Sequence, residues 1–331
     1  MNFHVGEAMD ALSDVISAVR LTSSVFLDAR FGAPWCIQSQ ITPEDCAPIG
    51  PMPMHIIAYH YVASGRLFLE LEGNEPIAVG EGEIVLIPRN DRHTLGSSPG
   101  LKPAIIDHLI QPPNGGKPAA LQIGGNGDRA HLICGYLGCE APDSPLLSAL
   151  PRVLRISANE GAGGAWLGDS FRRATEEFAT GGIGSSTVLG KLAELLFVEA
   201  VRRYLATLPH DQAGWFAGLR DPKIGKVLAM LHSQPEHTWT VDELAKAVDM
   251  SRSAFAERFA GFVGMPPMRY LSHWRLQLAA VRLRDSPRAI AQIAYGVGYD
   301  SEAAFSRAFK QAFGVTPGRW RRYESGRESS K

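Results

Sequence analysis

The chain has 331 residues, 45% of them hydrophobic and 20% charged, which suits two ordinary globular domains. No run approaches the roughly 18–20 consecutive apolar residues of a membrane span, and residues 1–10 hold no basic targeting segment, so a cytoplasmic protein without a membrane partner is expected. The net charge of −1 divides into −8 over residues 1–219 and +7 over residues 220–331, which makes nucleic acid a candidate partner of the C-terminal part alone.

Short β-type segments occupy the chain from about residue 20 to residue 139. They are rich in β-branched and aromatic residues, and turns containing Gly, Pro or Asn separate them. Segments this short and this evenly spaced predict a small barrel or sandwich. The segments are His55–Val62, Arg66–Leu71, Glu83–Ile87 and His131–Tyr136. The Gly- and Pro-rich stretch Gln111–Asp128 is predicted to be a loop.

Helical periodicity replaces the β pattern after Pro142. Apolar stripes over Ala165–Ala179 and Thr187–Leu208, joined by a Gly-rich turn, predict a helical hairpin. The second stripe suits either packing against the barrel or a homodimer interface, and the sequence leaves both open. The predicted domains are a barrel over residues 1–145, the hairpin over 146–210 and a helical domain over 220–325.

The last hundred residues contain one pattern twice. Each copy has a short helix, a turn of small residues and a second helix with two phenylalanines four positions apart, and then a glycine and a proline. From Ser251 and Ser301 onward the two copies are offset by 50 residues, as shown by the pairs Phe255/Phe305, Phe259/Phe309, Gly264/Gly314 and Pro267/Pro317. Two helix-turn-helix units in a basic segment predict a bipartite reader of duplex DNA.

The ends of these helices are marked by capping residues. Thr240 and Glu243 form a capping box for the first helix of the first unit, and Ser251 and Ser301 cap the second helix of each unit. The helical stretch Met268–Leu283 is long enough, at roughly 1.5 Å per residue, to hold the units about one DNA turn apart. We therefore expect the second helices to enter successive major grooves.

The outward residues of these second helices are the predicted DNA contacts. Arg252 and Arg307 are the main candidates for bidentate contact with guanine. Arg275, Lys310 and Arg319 are assigned to phosphates. The full predicted set is Ser251, Arg252, Ser253, Glu257, Arg275, Ser301, Glu302, Ala303, Ser306, Arg307, Lys310 and Arg319.

This C-terminal segment resembles the AraC/XylS family of bacterial transcription regulators over about the last 110 residues. Ile293–Pro317 looks like the family signature nearly throughout. The first unit is similar in Met250–Phe259, Pro266–Leu271 and Trp274-Arg275, although Glu257 stands where the family often has a basic residue. The resemblance implies promoter DNA and RNA polymerase as partners, usually in activation.

Residues 20–139 resemble the cupin-like N-terminal domain of one branch of these regulators. The resemblance rests on Tyr59-His60, on Gly80–Pro88 and on His93, whereas Val62 stands where the usual cupin pair has its second histidine. The implied fold class is an α+β multidomain protein. It has an N-terminal cupin-like β-barrel with a helical hairpin, and a C-terminal all-α domain with two helix-turn-helix units.

Four cysteines are too few for a disulfide scaffold in a chain of this length, so reduced thiols or a metal site are expected. A zinc ion could be held by two thiols and two imidazoles if the barrel brings these residues together: His60, His93, Cys134 and Cys139. The alternatives are a redox pair formed by Cys134 and Cys139, and a small-molecule pocket lined by Phe68, Leu86 and His93.

The leading hypothesis is therefore a non-enzymatic, sequence-specific transcription regulator. Its N-terminal domain would sense a small-molecule effector or a metal, or form a homodimer. The rival is a metal-dependent cupin enzyme with a DNA-binding appendage, which needs three or four metal ligands and an open coordination position. An architectural DNA binder is the third reading, and it predicts little base preference.

Overall fold

The computed structural model describes residues 12–16, 19, 21–46, 53–105, 110, 119–139, 144–157, 164–209 and 214–328. The chain divides into two compact units. One contains residues 21–142 and 150–207, and the other contains residues 1–20, 143–149 and 208–331. Within the described ranges, every helix is too short or too polar to cross a membrane.

The first unit contains two β-sheets and three of the helices. Its strands are β1 (Thr22–Gly32), β2 (Cys36–Ser39), β3 (His55–Ser64), β4 (Arg66–Leu71), β5 (Ile77–Gly80), β6 (Glu83–Ile87), β7 (His93–Gly96), β8 (Ala119–Gly124), β9 (Arg129–Cys139) and β10 (Leu154–Ser157). One sheet has the order β10-β6-β3-β9-β1-β8, and the other has the order β2-β7-β4-β5. The helices of this unit are α1 (Pro43–Cys46), α3 (Gly164–Thr180) and α4 (Ser185–Thr207).

The two sheets share one apolar core. Ala58 and Val62 of β3 belong to the same buried cluster as Leu67 and Leu69 of β4, which lies in the other sheet. Because successive side chains of a strand face opposite sides, alternate side chains of each strand point away from this core. The predicted small β-domain is confirmed.

The predicted loop Gln111–Asp128 is wrong in part. Ala119–Gly124 forms β8, which pairs in parallel with β1, whereas residues 111–118 lie outside the described ranges. Ala119 and Leu121 are buried and Gln122 is exposed, which is the alternation of a half-buried strand. This short alternation was hidden between two Gly- and Pro-rich segments.

The helical hairpin packs on the outer face of the six-stranded sheet. Phe171 of α3 contacts Tyr61 of β3 edge-to-face, with ring centroids 4.6 Å apart. The hydroxyl of Ser23 in β1 donates to the carboxylate of Glu194 in α4, at 3.2 Å. One side of α4 is therefore buried within its own chain, while Leu195 remains 48% exposed on the other side.

The second unit is helical in its described parts. Its helices are α2 (Pro145–Ala149), α5 (Trp215–Arg220), α6 (Pro222–Ser233), α7 (Val241–Ala247), α8 (Arg252–Val263), α9 (Pro267–Asp285), α10 (Ile290–Gly296), α11 (Glu302–Phe313) and α12 (Pro317–Glu328). The helix pairs α7–α8 and α10–α11 are the two predicted helix-turn-helix units. Helix α9 connects them.

Each helix-turn-helix unit has its own aromatic core. Phe255 and Phe259 are fully buried in α8, and Phe305 and Phe309 are fully buried in α11. Helix α9 contributes buried side chains to both cores. Its first half contributes Tyr270 to the first core, through a ring contact with Phe259, and its second half belongs to the buried cluster around Phe305. The predicted all-α domain with two units is confirmed.

The turns of the two units differ by one residue. Ala245 accepts backbone hydrogen bonds from Val248 and Met250, and Ala294 accepts the corresponding bonds from Val297 and Tyr299, an offset of 49 residues. From the serine caps onward the offset is 50. Asp300, between Tyr299 and Ser301, is therefore the inserted residue. The residue that needs positive φ is Asp249 (49°) in the first turn and Gly298 (88°) in the second.

Candidate nucleic-acid interface and buried histidine cluster

The helices α8 and α11 begin as the sequence predicts. The Ser251 hydroxyl accepts from the backbone N–H of Ala254 at 3.3 Å, and the Ser301 hydroxyl accepts from that of Ala304 at 3.2 Å. Thr240 likewise accepts from the N–H of Glu243, at 3.2 Å. The Glu243 carboxylate does not complete the predicted capping box but instead bonds the imidazole of His237, at 2.9 Å.

Most of the predicted DNA contacts lie on the exposed faces of these helices. On α11, Arg307 and Lys310 are exposed and Ser306 is half-buried. On α8, Arg252 is exposed and forms an ion pair with Asp242 at 3.2 Å, which is a weak interaction in water. The other exposed members of the predicted set are Ser251, Ser253, Glu257, Glu302, Ala303 and Arg319, and Ser301 is half-buried. The arrangement presents two polar helix faces, each carrying an exposed guanidinium group.

Arg275 does not match the prediction of a phosphate contact. Its Nε donates to the carbonyl of Pro235 at 2.6 Å, its Nη2 to that of His237 at 2.9 Å, and its Nη1 to that of Gly298 at 2.9 Å. The guanidinium is thus directed at the protein's own backbone. No sequence pattern indicates this contact, because the three acceptors are main-chain atoms in two distant loops.

Inside the barrel, two histidines form a bridge between the sheets. His60 of β3 and His93 of β7 are 1% and 2% exposed, and their Nε2 atoms are 2.8 Å apart. The Nδ1 atom of His60 lies 3.0 Å from Sγ of Cys134, its register partner in β9. The Nδ1 atom of His93 lies 2.7 Å from the carbonyl oxygen of Asp91. A continuous polar chain therefore crosses an apolar core.

The hydrogen-bond partners determine which ring nitrogen of each histidine carries a proton. The Asp91 carbonyl only accepts, so Nδ1 of His93 carries a hydrogen and Nε2 of a neutral His93 accepts. His60 then donates from Nε2 and accepts at Nδ1 from the thiol of Cys134. Each donor has an acceptor when both rings are neutral, which satisfies the buried polar groups.

Burial favours this neutral state. Desolvation lowers the pKa of His60 well below its usual value, and the neighbouring His93 acts in the same direction. Desolvation also lowers the pKa of His93, against the effect of Asp91. Burial raises the pKa of Cys134 to about 12, so the thiol stays protonated. A redox role for Cys134 through its thiolate is therefore disfavoured.

The predicted zinc ligands do not meet at one point. Cys139 is the register partner of His55, five residues along β9 from Cys134 and on the other side of that strand. Cys134 and His93 approach opposite nitrogens of the His60 ring, so one ion cannot replace both contacts. Within the described ranges, no three His, Cys, Asp or Glu side chains are arranged to hold a metal ion. The Cys2His2 set does not fit zinc.

The predicted small-molecule pocket is not assembled from its three predicted residues either. Leu86 pairs with Tyr59 on the outer face of the large sheet, whereas its neighbours Val85 and Ile87 belong to the core. Phe68 alternates in the same way with the core residues of β4, and His93 points inward. The three side chains therefore lie on different faces.

Sequence comparisons agree with this architecture. Residues 10–206 match a cupin family, and residues 244–323 match a helix-turn-helix domain family. The first match covers more than half of the chain and includes both the barrel and the hairpin. The second includes α8, α9 and α11 in full.

Curated relatives match this chain over nearly its whole length. A putative AraC-like transcription regulator of Streptomyces lividans is 32% identical over 95% of this chain and 99% of its own length. A second, from Streptomyces antibioticus, gives the same values. The HTH-type transcriptional regulator AlkR of Acinetobacter baylyi is 30% identical over 95% of this chain and 99% of its own length. The chain therefore belongs to the AraC-like transcription regulators, as a DNA-binding protein with a cupin domain ahead of its helix-turn-helix units.

Proposed function

We propose that this regulator activates transcription by placing α8 and α11 in successive major grooves of a bipartite promoter site. The observation that supports this proposal is the structural duplication, since both units have the same serine cap and phenylalanine core. Helix α9 has 19 residues and spans about 28 Å, close to the roughly 34 Å of one DNA turn. For a regulator with this role, we expect RNA polymerase to be a partner and the cytoplasm to be the site of action.

The proposal assigns base contact first to Arg307. Its guanidinium is exposed near the middle of α11, the helix that lies in the major groove in helix-turn-helix proteins. Arg252 has the same role in α8, once it exchanges its exposed partner Asp242 for DNA. Lys310, three residues beyond Arg307 on the same helix, is assigned to a phosphate.

Arg307→Ala tests this assignment. We expect it to weaken binding to the selected cognate duplex by roughly 1–3 kcal/mol and to relax the preference at one base pair, because bidentate guanine contacts carry specificity. Lys310→Ala is the matched control on the same helix. It should weaken cognate and random duplexes alike and lower the salt slope by about one. Equal loss on both duplexes with Arg307→Ala would contradict base contact.

We further propose that the barrel is a sensor of an effector and not a catalyst. Among the residues that the structure describes, two ligating imidazoles converge at most, whereas a catalytic metal site uses three protein ligands and an open position. Ligands that raise the melting temperature of the full-length protein in a small-molecule screen would identify the effector. Turnover of a substrate by the metal-loaded protein would instead support the enzyme alternative.

A homodimer through α4 is the remaining part of the proposal. Val188 and Leu195 are 51% and 48% exposed on the side away from the sheet. Together with the half-buried Val198, they follow the 3–4 spacing of a two-helix seam. An antiparallel pairing centred on Leu195 brings Lys191 of one copy opposite Glu199 of the other. This charge complementarity favours a second copy of the chain as the partner.

A further inference from the structure

One guanidinium group joins the loops of both helix-turn-helix units. Arg275 lies near the middle of α9, at the junction between the half that serves the first core and the half that serves the second. Two of its three hydrogen bonds go to carbonyls of Pro235 and His237, in the loop that precedes α7. The third goes to the carbonyl of Gly298, in the turn between α10 and α11.

The surroundings of this guanidinium are charged as well as hydrogen-bonded. Partial burial lowers the pKa of Arg275, while Tyr299, Asp300 and Glu236 act to raise it. Glu236 belongs to the loop of the first unit, and Asp300 to the turn of the second. An arginine remains ionised under such conditions, and bonds from a charged donor are about twice as strong as neutral ones. The cation therefore attracts both loops.

The second turn is shaped to receive the guanidinium. A Cβ atom on Gly298 would lie 2.7 Å from Cζ of Arg275, so a larger residue would displace the arginine. The same turn holds Asp300, the residue by which the two units differ. The contact thus lies beside the only insertion between the matched segments from Ala245 to Gly264 and from Ala294 to Gly314.

We infer that Arg275 is a positioning residue that fixes the orientation of α11 relative to α8, and thereby sets the spacing of DNA subsites that the protein accepts. Helix α9 fixes the distance between the units. The guanidinium adds contacts off the helix axis, which resist rotation of one unit about α9. This inference rests on the proposed reading of two subsites by α8 and α11.

The test uses the full-length protein and duplexes that the wild-type protein selects from a random-sequence pool. In the best duplex, the spacing between the two subsites is then changed in single base-pair steps. We expect Arg275→Met to lower affinity at the preferred spacing about tenfold, because the orientation is no longer pre-organised, and to change affinity at other spacings little. The decisive measurement is the ratio of the affinities at the preferred and the other spacings, and not the affinity at one spacing.

Arg282→Met is the matched control. Arg282 also projects from α9, but its bond to the Gly296 carbonyl lies within the second unit, so the spacing ratio should stay as in the wild type. Arg275→Lys retains the charge and stem but cannot donate to three carbonyls in the same planar geometry, and it should give an intermediate ratio. It also serves if the methionine variant folds poorly.

Loss of affinity by the same factor at every spacing, in both Arg275 variants, would leave the ratio of affinities between spacings unchanged and would overturn the inference. A wild-type protein that tolerates every spacing equally would instead refute the two-subsite reading, which separates failure of the proposed function from failure of the role of Arg275.

Discussion

At the scale of single residues, the barrel contains an exception to its apolar interior. Among the described residues of β1–β9, His60 and His93 are the buried polar side chains, and they bond each other across the sheets. Such a pair is stable only while every donor has an acceptor, because an unpaired buried group costs about 1–3 kcal/mol. The neutral chain from Cys134 to the Asp91 carbonyl meets this condition.

This arrangement predicts a pH-dependent stability. Both histidines have a pKa below the ordinary 6.5 in the folded protein, so below that pH the unfolded chain binds more protons than the native one. Stability should be full above pH 6.5 and fall from pH 6.5 to pH 5, by up to about 1.4 kcal/mol per pH unit for each histidine. Urea unfolding of the full-length protein at pH 7.5 and pH 5 measures the difference.

The double variant His60→Gln/His93→Gln provides the control for this prediction. Glutamine does not titrate, so the slope between these two pH values should flatten, whatever the stability of the variant at pH 7.5. A slope as steep as that of the wild type would assign the effect to other groups.

At the scale of elements, the recognition helices end in matching ways. Gly264 after α8 and Gly314 after α11 have φ values of 77° and 75°, and both lie in the left-handed region. Their N–H groups bond the carbonyls of Ala260 and Lys310, which closes the last turn of each helix. The glycine in each repeat is thus explained by its left-handed backbone conformation, and not by a lack of room for a Cβ atom.

Two alanine substitutions separate conformation from packing. A Cβ atom on Gly314 would meet no other atom within 4 Å, so Gly314→Ala should cost roughly 1–2 kcal/mol through its positive φ alone. Gly261→Ala, in equally open space but inside α8, should instead stabilise the protein by up to about 1 kcal/mol. Urea unfolding followed by tryptophan fluorescence compares them, and the same sign for both changes would refute this explanation.

At the scale of the whole molecule, the N-terminal and C-terminal parts of the chain carry opposite net charges. The basic excess lies with the helix-turn-helix units, and the acidic excess lies with the barrel and hairpin. DNA attracts only the first of these regions, which leaves the outer face of α4 available for another partner. A second copy that binds there would double the number of DNA subsites held by one assembly.

Leu195→Glu tests this dimer. The substitution places two carboxylates near the proposed two-fold axis, so the variant should sediment as a monomer where the wild type sediments as a dimer. Ile183→Glu is the matched control, because Ile183 is fully exposed in the hairpin turn and lies outside the stripe. It should leave the dimer intact. A wild type that stays monomeric at every concentration tested by analytical ultracentrifugation would contradict the proposal.

The sequence alone determined the features that are local along the chain. The serine caps and the burial of Phe255 and Phe305 follow from short spacings within each copy of the repeat, where helical periodicity and turn chemistry decide the conformation. The duplication itself is a constant offset of 50 residues between the two copies. The family resemblance followed from the same segments. The placement of His60 and His93 in one β-domain was also within reach of the sequence.

Only the tertiary structure decided which distant groups meet. His60 contacts Cys134 across 74 positions of sequence, and it does so because the register of β3 against β9 pairs them. A shift of one residue would turn every side chain of a strand to the opposite face, so the contact of Cys134 with His60 depends on a register that no local pattern encodes. The partners of Arg275 were also hidden from the sequence, so this residue was assigned to DNA. Its acceptors are backbone carbonyls, which carry no residue signature and are positioned only by the folded loops.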